Sequence, residues 1–79
     1  DPYVTILLYE MGGNMSCILN AANEVVNAGF RRGECGFLQM ADIIEQVMQK
    51  ATFDKSPDLD VYLRTDAEAR RIATELMNK

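Results

Sequence analysis

The chain has 79 residues, 48% of them hydrophobic and 25% charged, the make-up of one ordinary globular domain. It is too short for a doubly wound nucleotide-binding fold or a barrel enzyme, which take roughly 150 to 250 residues in one piece. Eight Lys plus Arg against twelve Asp plus Glu leave a net charge of −4, with no basic run longer than Arg31-Arg32 or Arg70-Arg71, and this argues against a nucleic-acid partner, because neutralising phosphates takes clustered cations.

The chain opens on Asp1 rather than Met, which reads as a piece of a longer polypeptide or a processed product. From Pro2 to Met11 nearly every side chain is apolar. The β-branched and aromatic content suits a strand as well as a helix. Asp1-Pro2 supplies a helix start and Gly12-Gly13 a stop, so the expectation is a short, largely buried helix. The stretch falls well short of the roughly 20 apolar residues of a membrane span, and it lacks the basic flank and small-residue cleavage site of a secretory leader.

From Asn14 to Arg32 the apolar residues Met15, Ile18, Leu19, Ala22, Val25, Val26, Gly29 and Phe30 recur at helical spacing. Asn14 or Ser16 can cap the start and Gly33 can close the end. The opposite face is unusual: Asn20, Asn23, Glu24, Asn27 and Arg31 fall within about 100° of arc at 3.6 residues per turn. A solvated helix face more often carries Glu, Lys and Arg, because Asn is a poor helix former. An amide both donates and accepts, so such a row suits a wall that hydrogen-bonds to a neighbouring helix or domain. The plainer reading is an exposed polar face.

After a turn through Glu34 to Gly36, the third segment sets Met40, Ile43, Ile44, Val47, Met48 and Ala51 on one side and Asp42, Glu45, Gln46, Gln49 and Lys50 on the other. Phe37 and Leu38, just ahead of it, are expected to plug the core, and the methionines to fill it. Ser56-Pro57 opens the last segment, whose predicted buried stripe is Leu59, Tyr62, Leu63, Ala69, Ile72, Ala73, Leu76 and Met77. Asp66 projects into that stripe, where an unpaired carboxylate is costly. Two resolutions are open. Thr65-Asp66-Ala67-Glu68 fits a capping box that would split the segment at Thr65, and Arg70, one turn on, would pair with Asp66. Together the segments predict an all-α fold, a small antiparallel four-helix bundle forming one helical domain over residues 1–79.

No catalytic constellation stands out. There is no His to act as a base near neutral pH, and no glycine spacing cradles a phosphate. Gly12-Gly13 before a helix offers donors to an anion, although a helix boundary explains the pair more simply. Cys17 and Cys35 are the only cysteines. Without His or a close Cys pair a zinc site is not expected, and the two read as reduced thiols packed as small hydrophobes in a reducing compartment. Glu24 and amides alone are too few anionic ligands for another metal.

Gly12-Gly13, then Leu19-Asn20-Ala21-Ala22-Asn23-Glu24-Val25, then Phe30, Gly33, Phe37 and the amphipathic segment, then Asp66-Ala67-Glu68-Ala69-Arg70, resemble the carboxy-terminal helical domain of the 1-deoxy-D-xylulose 5-phosphate reductoisomerase family, along essentially the whole chain. The resemblance implies a larger parent enzyme of non-mevalonate isoprenoid biosynthesis, forming 2-C-methyl-D-erythritol 4-phosphate with NADPH and a divalent cation, magnesium or manganese. In that family the nucleotide, metal and substrate-phosphate contacts lie before this segment. It therefore implies no catalytic, cofactor-binding or metal-binding residue here, and a structural interdomain role for Asn20, Asn23, Glu24, Asp66 and Arg70. Its implied partners are the remaining domains of the same polypeptide and, through the surface left bare, further copies of the chain. Its implied location is a bacterial cytoplasm or a plastid. The family commonly has Pro at Ser16, an aliphatic residue at Asn27, Ile at Cys35 and an Asp cap at Gln39, so weaker helix starts are expected here. The competing class is a free-standing helical protein–protein interaction module.

Overall fold

The computed structural model describes residues 12–79. Gly12 and Gly13 turn the chain into the first helix with φ of 61° and 57°, a left-handed conformation that glycine adopts at little cost. At Gly13 space matters as much as φ. A Cβ there would lie 3.0 Å from Lys55 Cα and closer still to the Asp54 carbonyl oxygen, so the loop from Ala51 to Pro57 rests directly on the Gly13 backbone.

Asn14 follows, and its expected role changes. It stands at the N-cap position of α1 (Met15–Arg31), yet its side chain makes no capping bond. Fully buried, that side chain reaches across the molecule. Its Nδ2 donates to the Thr52 carbonyl at 2.9 Å and to Thr65 Oγ1 at 2.8 Å, while its Oδ1 accepts from the Asp54 N–H at 2.8 Å. Its own N–H donates to the Asp54 carbonyl at 3.0 Å. One amide thus ties the start of α1 to the loop after the second helix and to the third.

The 17 residues of α1 bury Met15, Ile18, Ala21, Ala22, Val26 and Gly29, close to the predicted face. Gly33 (φ 76°) ends the helix: its N–H donates to the Phe30 carbonyl at 3.0 Å and that of Glu34 to the Gly29 carbonyl at 2.8 Å, the paired bonds of a Schellman turn. The chain then reverses into α2 (Phe37–Lys50), which buries Ile43 and Val47. Gln39 does not leave this start weak. Its Oε1 accepts from the Gly36 N–H at 2.6 Å, doing the work expected of an acidic cap.

Phe37 and Leu38 do not plug the core; they are 73% and 85% exposed. At 100° per residue they lie about 120° and 140° around α2 from Ile43, so the helix carries them away from the interior. Phe37 instead meets Phe30 edge-on, with ring centroids 6.2 Å apart.

The third helix, α3 (Leu59–Met77), begins two residues later than predicted, because Asp58 rather than Ser56 is the cap and accepts from the Val61 N–H at 2.9 Å. It runs unbroken through Thr65. The capping-box reading fails there because both of its side chains are committed elsewhere: the buried Thr65 hydroxyl accepts from Asn14, and the Glu68 carboxylate accepts from the Thr52 N–H and, at 3.2 Å, its hydroxyl. The buried stripe is Thr65, Ala69, Ile72 and Ala73. Leu59, Tyr62 and Leu63, expected within it, are 72%, 40% and 62% exposed, and Leu63 sits about 120° around the helix from Ala69.

The described residues therefore form an all-helical fold of three helices, not the predicted four-helix bundle; the expected first helix over 1–11 lies outside the described residues. Asn14 beside Thr65, Glu24 beside Arg70 and Gly29 beside Met77 show that α3 runs in the same sense as α1, with α2 reversed between them in sequence. No helix of the described residues is long and apolar enough to cross a membrane.

Removing the Asn14 amide leaves the Thr52 carbonyl and Asp54 N–H without it, so Asn14→Ala should lower unfolding free energy by about 2–4 kcal/mol in denaturant titrations. Asn14→Asp should not rescue, since a carboxylate cannot donate to two acceptors; wild-type stability in either variant would contradict this role. Gly13→Ala, strained in φ and in contact with backbone that cannot rotate away, should cost about 2 kcal/mol or more in the same assay.

Candidate functional site

The face that α1 and α3 share brings together four of the five residues singled out in the sequence. Arg70 is the centre. Its Nε donates to Asp66 Oδ2 at 2.9 Å, and its Nη2 donates to Glu24 Oε2 at 3.2 Å. The same Glu24 oxygen accepts from Asn20 Nδ2 at 3.0 Å. Two helices separated by the whole of α2 are thus joined through a row running Asn20, Glu24, Arg70, Asp66.

Asn23 stands outside that row. Its Oδ1 and its carbonyl accept from Asn27 Nδ2 at 2.8 and 2.7 Å, so the extra amide at Asn27 braces its own helix. Asn23, Glu24, Asn27 and Arg31 border an open groove with Arg70 and Thr74 on its other side.

Of the two resolutions open for Asp66, the structure takes the pairing with Arg70. Its side chain is also 43% exposed and so does not sit in the apolar stripe. The Arg70 side chain is 39% exposed and that of Glu24 55%, and at such exposure each pair contributes about 0–1 kcal/mol. The row accordingly fixes geometry more than it adds stability. The hydrogen bond from Arg70 to Asp66 raises the guanidinium pKa, helped by the charge of Glu24.

Below Asp66 lies Cys17, half-buried on α1, its thiol donating to the Tyr62 carbonyl at 3.6 Å. Burial raises its pKa, the Asp66 charge raises it further, and Arg70 opposes both. Cys35 is buried and separate, its thiol 3.8 Å from the Val26 carbonyl.

The residues that most determine how this face is held were not foreseen. Asn14, Thr52, Thr65 and Glu68 pair across 16 to 51 positions of sequence, and no local pattern announces such pairing. The nearest hint was Asn directly after the glycine pair.

The acids of the row already have a partner. Glu24 and Asp66 share one cation, the Asn14 N–H at the helix start is taken by Asp54 and that of Met15 by Gly12. Among the described residues no group of three or more His, Cys, Asp or Glu is placed to hold a metal ion. Glu24 and Asp66, already sharing one guanidinium, are too few anionic ligands for a divalent cation.

The family described as the DXP reductoisomerase C-terminal domain matches residues 4–72. The chain is 59% identical over 76 residues to 1-deoxy-D-xylulose 5-phosphate reductoisomerase of Bacteroides fragilis, covering 92% of this chain and 20% of that protein. It is 59% identical over 74 residues to the Bacteroides thetaiotaomicron protein of that name, covering 90% and 19%, and 38% identical over 68 residues to the Listeria monocytogenes one, covering 86% and 18%. The chain spans about one fifth of the length of these relatives. No solved structure matches it.

The Cys17 thiol should report the state of the Asp66–Arg70 pair. In a Cys35→Ala background, Asp66→Asn should move the thiolate absorbance titration of Cys17 to lower pH, and Arg70→Gln to higher pH. Identical titrations in both would show that the pair does not reach the thiol. Because the folded thiol titrates above the unfolded one, the stability linked to it is complete below the unfolded pKa and is lost as pH rises through the folded value.

Proposed function

This chain belongs to the DXP reductoisomerase C-terminal domain family, and from that premise we propose that it is the non-catalytic terminal domain of a longer NADPH-dependent reductoisomerase. That enzyme converts 1-deoxy-D-xylulose 5-phosphate to 2-C-methyl-D-erythritol 4-phosphate in non-mevalonate isoprenoid biosynthesis. NADPH and the divalent cation belong to the rest of the polypeptide, and no reaction step passes through this chain. Its role is mechanical: Asn20, Asn23, Glu24, Asp66 and Arg70 form the polar side of a wall against which the other domains rest.

The observation that carries this reading is one of extent. The match runs through nearly the whole chain yet covers only about one fifth of each relative, so the larger part of such an enzyme lies elsewhere. The physical state of the face supports it. Its two acids are paired with Arg70, while Asn20 and Asn23 keep unused hydrogen-bonding capacity for a neighbour. Residence in a bacterial cytoplasm or a plastid, and association with further copies of the chain, follow from the same reading.

The 79-residue chain alone should not oxidise NADPH in the presence of the substrate, whereas the longer polypeptide from the same reading frame should. Turnover by the chain alone would overturn the non-catalytic role. An inactive, folded longer polypeptide would overturn the enzymatic assignment.

A further inference from the structure

Two clusters of large apolar side chains stand exposed, and they lie at opposite ends of the helices. Phe30, Phe37 and Leu38 flank the Gly33 turn. Leu59, Tyr62 and Leu63 occupy the first turns of α3, one above another at spacings of three and four. The 17 residues of α1 separate the two ends by about 25 Å.

We propose that the Leu59, Tyr62 and Leu63 cluster is the apolar centre of the surface on which the rest of the longer polypeptide sits, with the row from Asn20 to Asp66 as its polar rim. This rests on the reading that the chain is one domain of such a polypeptide. Two observations select this cluster over the other. First, it is continuous with the polar row: the Tyr62 carbonyl takes the Cys17 thiol of α1, and Asp66, three residues after Leu63, leads to Arg70, Glu24 and Asn20. An apolar centre edged by hydrogen-bonding groups is the anatomy of a domain interface.

Second, the chain enters at this end. Gly13 rests on the loop around Asp54, and Asn14 bonds Thr65, so the first described residues lie beside the start of α3 and far from Phe37. The relatives are about five times as long as this chain, which leaves ample polypeptide to cover the cluster. The occupant is a surface of that same polypeptide presenting aliphatic or aromatic side chains to Leu59 and Leu63, with backbone or amide groups beside them for Asn20 and Glu24.

Hydroxyl-radical footprinting of the longer polypeptide tests this without a substitution, because three leucines serve as matched probes. In this structure Leu38, Leu59 and Leu63 are 85%, 72% and 62% exposed and would react at similar rates. A seated partner should make Leu59 and Leu63 at least about fivefold less reactive than Leu38, as water is excluded from an interface centre. Equal reactivity of the three, high or low, overturns the inference. An assay of NADPH oxidation on the same sample separates the two claims. Turnover with equal leucines removes the surface and keeps the enzyme; protected Leu59 and Leu63 without turnover keep the surface and remove the enzyme.

Discussion

A single buried amide organises this domain. With Ile18, Val26 and Val47, Asn14 is among the largest side chains removed entirely from solvent, and it is the polar one. A buried amide is costly unless its donors and acceptor are met. Here both Nδ2 hydrogens and Oδ1 find partners, and those partners belong to different parts of the chain. Apolar contacts tolerate sliding by a fraction of a turn; a satisfied amide does not. The clasp therefore sets how α3 lies against α1, and that relation in turn decides whether Arg70 reaches both Glu24 and Asp66.

The same dependence explains why the α1–α3 face is orderly although its ion pairs contribute little. Half-exposed pairs of this kind do not hold helices together. Burial of Ala21, Ala22, Ala69 and Ala73 and the amide clasp do so, and the polar row then reads out the resulting geometry. On the proposed interdomain reading that division is useful, because the groups offered to a neighbour are not also responsible for the fold.

The helical periodicity of α1 and α2 was legible in the sequence, as were the glycine boundaries at Gly13 and Gly33, because both depend on local spacing and backbone sterics. The pairing of Asp66 with Arg70 was legible as one of two options, being a one-turn relation. Hidden were the features that need two distant segments at once. Thr65 and Glu68 match a capping box locally, and only Asn14 and Thr52 draw them away from it. Phe37, Leu38, Leu59 and Leu63 are apolar and adjoin helical stripes, so hydrophobicity alone assigns them to the core. Rotation about the helix axis places them outside it.

The turn at Gly33 also bears on how the domain comes together. It closes α1 onto α2 through the few residues from Arg32 to Gly36, a small loss of chain freedom. The Asn14 to Thr65 bond spans 51 positions, and bringing such ends together costs more entropy before any contact repays it. On these grounds the helical hairpin is expected to form before α3 docks, with the amide at Asn14 as the latch that fixes the final topology.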